Sequence, residues 1–226
     1  MLSKLIVALD VEGTAPALEL VEQLADVVDI FKVGLQLFTA AGPRIVEQIQ
    51  QKGSKVFLDL KLHDIPNTVA KAVAAAQSHG VYALTVHTCG GQEMLQKAAA
   101  VNPRPQLWGV TVLTSLDDEN LKNIGFRLPV KELVPNLAKT AKNCGLDGIV
   151  CSPREIALVR PLVGDEFTIV APGVRAKTVA DDQKRTLTAG EAVKAGADYL
   201  VVGRPVLEAK DPREAALAIL KEIGEE

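Results

Sequence analysis

A short apolar run followed by a segment with helical spacing recurs eight times along this chain, and that alternation restricts the fold more than any other feature. The strand-like runs are Leu5 to Asp10, Ile30 to Gly34, Lys55 to Leu62, Ala83 to His87, Leu107 to Thr114, Gly148 to Ser152, Thr168 to Ala171 and Tyr199 to Gly203. Helical patterns follow each: Thr14, as a cap, to Ala25; Gly42 to Gln51; Pro66 opening a helix through Gln77; Glu93 to Ala100; Val130 to Cys144; Pro153 to Leu162; Gly190 to Ala195; Pro212 to Ile223. Strict alternation implies a parallel sheet. Eight units in 226 residues favour a closed (β/α)8 TIM barrel over an open doubly wound sheet, and no GxGxxG follows the first strand. No linker or low-complexity tract divides the units, so residues 1–226 are expected to form a single domain.

In such barrels chemistry sits at the C-terminal ends of the strands. Asp10, Lys32, Asp59, Lys61, His87, Thr114, Ser152, Arg175 and Arg204 all fall at or just beyond those ends. The densest stretch is Asp59-Leu60-Lys61-Leu62-His63-Asp64-Ile65-Pro66-Asn67-Thr68. Period-two alternation puts Val56, Leu58, Leu60 and Leu62 on one face and Phe57, Asp59 and Lys61 on the other. Asp59 and Lys61, roughly 6.6 to 6.8 Å apart along a regular strand, are expected to flank a small group without collapsing onto each other. Neighbouring strands lie about 4.8 Å apart, which brings Lys32 within reach of Asp59. The alternative is a structural ion-pair plug, but desolvation makes buried pairs weak stabilisers, so a cluster of several charges at the mouth favours function.

Arg175 and Arg204 follow strands seven and eight beside Gly173 and Gly203, where barrels frequently hold a phosphate. A guanidinium matches phosphate bidentately and glycine admits close backbone approach; two surface salt bridges are the alternative. Between them, Ala176 to Thr186 reads either as a solvated connection or as a lid with Gln183 reaching the ligand. A net charge of -3 without a basic run argues against nucleic-acid partners. Cys89, Cys144 and Cys151 form no close pair, no apolar run reaches the ~18 residues of a membrane span, and no signal peptide is evident, which together predict a cytoplasmic protein without membrane association. The histidines His63, His79 and His87 stand at no metal-ligand spacing, and no metal is expected.

With these residues assembled, the chain resembles the orotidine 5'-monophosphate decarboxylase family in its bacterial form. The resemblance rests on the LIVALD start, Lys32-Val33-Gly34, the whole DLKLHDIPNT block, the VLTS end of strand five, APGVR and the final VVGRP. It implies that Asp10 and Lys32 hold ribose hydroxyls, and that Lys32, Asp59, Lys61 and Asp64 form an array of alternating charge. It further implies that Lys61 gives a proton to pyrimidine C6, that Thr114 meets the pyrimidine edge, and that Arg175, Gln183, Gly203 and Arg204 bind phosphate. Asp64 and Thr68 are implied to complete the neighbouring subunit's site in a homodimer, and no cofactor is implied. One departure is the short, charged stretch Ala176 to Asp182.

Two other readings share parts of this pattern. A metal-dependent decarboxylase or aldolase on a sugar phosphate has the same Asp-x-Lys-x-x-Asp core, without the Ile65-Pro66-Asn67-Thr68 continuation. A non-catalytic nucleotide-binding barrel has no need of the intact acid–lysine array.

Overall fold

The computed structural model describes residues 4–174 and 187–224. Its strands close into a barrel in sequence order, every neighbouring pair parallel, with the last strand returning to the first. The chain runs β1 (Leu5–Ala8), α1 (Thr14–Leu24), β2 (Ile30–Gly34), α2 (Leu35–Ala41), α3 (Arg44–Gln50), β3 (Lys55–Leu62), α4 (Pro66–Ser78), β4 (Ala83–His87) and α5 (Gln92–Ala99). It continues through β5 (Gln106–Val110), α6 (Asp118–Asn123), α7 (Val130–Asn143), β6 (Gly148–Val150), α8 (Ile156–Val163), β7 (Thr168–Pro172), α9 (Ala189–Lys194), β8 (Tyr199–Val202), α10 (Arg204–Leu207) and α11 (Pro212–Glu222). The expected (β/α)8 architecture is therefore present.

Two apolar layers follow from the strand alternation. Outward-facing Leu5, Val7, Phe31, Val33, Val56, Leu58, Leu84 and Val86 pack with the helices in one large buried cluster. Inward-facing Ile6, Ala8, Ile30, Phe57, Ala83, Trp108, Val170 and Val201 fill the barrel. The Phe57 and Trp108 rings lie 4.6 Å apart in an edge contact, and Tyr199 stacks beside Trp108 at 5.6 Å. This plug makes the interior a packed core with no pore, and it forms the floor on which the mouth's charges stand.

Local structure departs from the sequence expectation where tertiary partners intervene. Thr14 does not cap α1: Gly13 holds the N-cap position and Thr14 is the first helical residue. Strand β5 stops at Val110 instead of Thr114. Just beyond its end Thr111 still donates its N–H across to Val150 O at 3.1 Å and adds its hydroxyl to the same oxygen at 2.9 Å, and the chain then turns through Leu113 and Leu116. Three short helices, α2, α6 and α10, lie inside stretches expected to be connections. Helix α6 carries a readable signal, a capping box in which Asp117 and Asn120 exchange side-chain and backbone hydrogen bonds. The other two follow Gly34 and Gly203 and have no side-chain cap to announce them.

Candidate active site

The C-terminal ends of β1, β2 and β3 bring three of the expected residues together at once. Lys32 sits between Phe31 and Val33, both turned to the helices, so strand phase alone turns it into the barrel. Its Nζ lies 2.9 Å from Asp10 Oδ1 and 3.9 Å from Asp59 Oδ2, and the residue is only 9% exposed. Lys61 Nζ donates to Asp59 Oδ2 at 2.7 Å. The result is an ordered run Asp10, Lys32, Asp59, Lys61 in which sign alternates and each inner charge has opposite neighbours, which offsets the desolvation that a buried ammonium suffers. Gly34 makes room for it: a β-carbon there would stand 2.8 Å from Lys32 Nζ and 3.3 Å from Asp10 Oδ1.

The expected gap between Asp59 and Lys61 does not exist. Regular strand spacing separates their α-carbons, but β3 is irregular here. Its register against β4 runs Leu58 to Leu84 and then Leu62 to Val86, so Asp59, Leu60 and Lys61 together oppose Thr85 alone. Within this bulge Lys61 takes a φ of 52°, the left-handed region that non-glycine residues rarely occupy. The turned backbone lets the lysine tip fold back onto the neighbouring carboxylate. Thr85 itself was missed by sequence reasoning. It is fully buried on β4, accepts the Lys61 N–H at 2.8 Å and donates its hydroxyl to Asp59 Oδ1 at 2.9 Å. A polar residue two before His87, in phase with the barrel interior, was the available signal.

Around this core, His87 at the end of β4 lines the mouth, with the ring of His63 5.7 Å away. Burial, then His63, then the Lys61 ammonium, push the His87 pKa below 6.5, so the imidazole is neutral at neutral pH. Asp64 is exposed and accepts the N–H of Ile65 at 2.6 Å; among the described residues it enters no ion pair. Thr68, in the first turn of α4, is exposed as well, and Ile65 is 68% exposed. Among the described residues neither Asp64 nor Thr68 joins the ion pairs of its own chain's charge run. Thr114 lies in the exposed loop beyond β5.

Across the mouth, Gly203 follows β8 and faces Asp10: a β-carbon on it would stand 3.6 Å from Asp10 Oδ2. Arg204 opens α10, is exposed, and has no anionic partner among the described residues. Arg175 and Gln183 lie outside the described residues. Concavities of about 450 and 460 Å³ open elsewhere, one beside Asn102 to Gln106 and one between α6 and α7. In the first, Arg104 is committed to Asp147 in a salt bridge, and in the second Asp118 accepts the Val130 N–H at 2.7 Å, whereas the run of four alternating charges lies at the mouth. Among the described residues no three His, Cys, Asp or Glu side chains converge as a metal-binding set, and no helix is long and apolar enough to cross a membrane.

Comparison with known proteins identifies the family. The family model described as Orotidine 5'-phosphate decarboxylase / HUMPS family matches residues 3–219. The orotidine 5'-phosphate decarboxylase of Geobacter sp. (strain M21) is 49% identical over 98% of this chain and 96% of its own, and that of Trichlorobacter lovleyi is 50% identical over 98% and 95%. Among solved structures, orotidine 5'-phosphate decarboxylase from Lactobacillus acidophilus superposes with a TM-score of 0.87 at 38% identity, covering 98% of this chain and 99% of that one. The Pyrococcus horikoshii enzyme superposes at 0.81 with 27% identity over 97% and 98%. With the barrel, the acid–lysine run and these relatives in agreement, the chain belongs to the orotidine 5'-phosphate decarboxylase / HUMPS family.

Proposed function

We propose that this chain converts orotidine 5'-monophosphate to uridine 5'-monophosphate and CO2 in pyrimidine biosynthesis, without metal or cofactor, with Lys61 as the proton donor. The observation that carries the reading is the alternating run Asp10, Lys32, Asp59, Lys61 at the barrel mouth. Breaking the bond from C6 to the carboxylate leaves the electron pair on a vinylic carbon without a resonance sink, so the site has to stabilise that charge directly. An ammonium about 4 Å away contributes roughly 4 kcal/mol at an effective dielectric of 20. The same ammonium then gives its proton to C6 and regains one from water. Asp59 holds Lys61 and Lys32 on either side of it, while Asp10 and Lys32 take ribose hydroxyls and Thr114 meets the pyrimidine edge.

The electrostatic contribution of one ammonium corresponds to about three decades of rate. The remainder is supplied by preorganisation and by binding energy from the phosphate, realised at the reacting carbon. Gly203 and Arg204, with Arg175 and Gln183, form that grip. Arg204→Ala is expected to lower kcat/KM on the order of 10- to 100-fold, the loss of a charged hydrogen bond. Steady-state kinetics check this, and unchanged constants would remove Arg204 from the phosphate site.

The site is completed by a second copy of the chain. Asp64 and Thr68 are presented outward, and Leu35 at 57%, Ile65 at 68% and Leu113 at 36% exposure leave apolar side chains on the same rim, all three following strand ends. A partner covering that rim receives Asp64 and Thr68 in its own mouth. The decisive experiment for the activity is the ultraviolet loss of the orotidylate chromophore with and without a chelator. Turnover in both supports the reading. Turnover abolished by chelation would replace it with the metal-dependent one, and no turnover with uridylate still bound would make the barrel a binding module.

A further inference from the structure

We infer that Thr85 is a positioning residue of the site, its hydroxyl setting the distance and direction between the Asp59 carboxylate and the Lys61 ammonium. The inference rests on the reading that these two groups carry the reaction. Three features bear on it. Thr85 is fully buried, so its hydroxyl has no solvent to fall back on. Asp59, Leu60 and Lys61 stand opposite Thr85 alone, because the ladder between β3 and β4 skips from Leu58 to Leu62. The skip takes the Lys61 N–H out of the regular ladder, and Thr85 Oγ1 accepts it at 2.8 Å.

The same oxygen carries one hydrogen, which it donates to Asp59 Oδ1 at 2.9 Å. The other carboxylate oxygen, Oδ2, takes the Lys61 ammonium at 2.7 Å and faces Lys32 at 3.9 Å. Thr85 therefore contacts both ends of one small loop: the backbone that gives Lys61 its left-handed φ of 52° and the acid that Lys61 reaches back to. Only a group that donates and accepts at a single atom can bridge them. Its neighbours Leu84 and Val86 pack outward among the helices, so strand phase delivers Thr85 to the interior without further help.

A residue acting this way is separable from one that merely fills space. Thr85→Val keeps shape and branching but removes donor and acceptor; Thr85→Ala removes both with less bulk; Thr85→Ser keeps both. The expected result for Thr85→Val and Thr85→Ala is a fall in kcat on the order of 10- to 100-fold, with KM and the uridylate Kd within about two-fold of the parent, because ribose and phosphate are held elsewhere. Thr85→Ser is expected to stay within about three-fold of the parent kcat. Parent-like kcat in Thr85→Val, equal losses in Thr85→Ser, or losses confined to KM would each overturn the inference. So would failure of both Thr85→Val and Thr85→Ala to fold while Thr85→Ser folds, which would make the hydroxyl a folding group. An error in the functional reading shows separately, as absence of orotidylate decarboxylation by the parent chain.

Discussion

Lys61→Ala is expected to lower kcat by at least about a thousand-fold while leaving a folded protein with a cooperative melt. The loss combines roughly 4 kcal/mol of charge stabilisation with removal of the proton donor, itself worth about 10²–10⁴-fold in typical sites. Stability should hardly change, for reasons visible around the side chain. Lys61 is partly exposed, and its removal does not orphan Asp59, which keeps the Thr85 hydroxyl at 2.9 Å and Lys32 at 3.9 Å. Alanine inherits the left-handed backbone with the same Cβ penalty as lysine. Lys61→Gly, free of that penalty, should therefore be the more stable variant by about 1 kcal/mol and equally inactive. Activity and thermal denaturation of the two variants test this together. An inactive but unfolded Lys61→Ala would say that the lysine holds the barrel end, and an active one would move the proton donor elsewhere.

The architecture was legible because it is written in period. Inward and outward faces of β2 and β3 separate by simple alternation, and Phe31, Val33, Val56 and Leu58 fall on the helix side as expected. What alternation cannot show is where a strand stops being regular. Thr111, Val112 and Leu113 all suit a strand, so the sequence pattern carries β5 through to Thr114, yet the strand ends at Val110 and the Thr111 hydroxyl joins its N–H on Val150 O. That acceptor lies some forty residues away in the chain.

The site shows the same division. Proximity of Asp10, Lys32 and Asp59 follows from their places on adjacent strands, so sequence sufficed to group them. The direct contact between Asp59 and Lys61 did not follow, because it needs the bulge opposite Thr85 and the positive φ that goes with it. Thr85 escaped for a related reason: a threonine in an apolar run is an ordinary strand residue until its partners are known. Strain of this kind persists only where surrounding contacts over-determine it, and here it lies at the lysine assigned to the chemistry.

Asp59→Ala and Asp64→Ala are each expected to be nearly inactive alone, with losses on the order of 10²–10³-fold or more, and to recover activity when mixed. Their structural settings differ. Asp59 stands between two ammonium groups, and removing it leaves Lys32 and Lys61 without the anion between them. Among the described residues Asp64 hydrogen-bonds only the N–H of Ile65, and it is exposed, so Asp64→Ala should melt like the parent. If each mouth takes Asp59 from one chain and Asp64 from the other, a mixed dimer contains one site lacking both acids and one lacking neither. Random exchange makes about half of all dimers mixed, so the mixture should reach about a quarter of parental activity, and purified mixed dimers about half. Differently tagged chains allow that purification before assay. Were both acids drawn from the same chain, every site in a mixed dimer would lack one of them, and the purified species would stay as inactive as its parents.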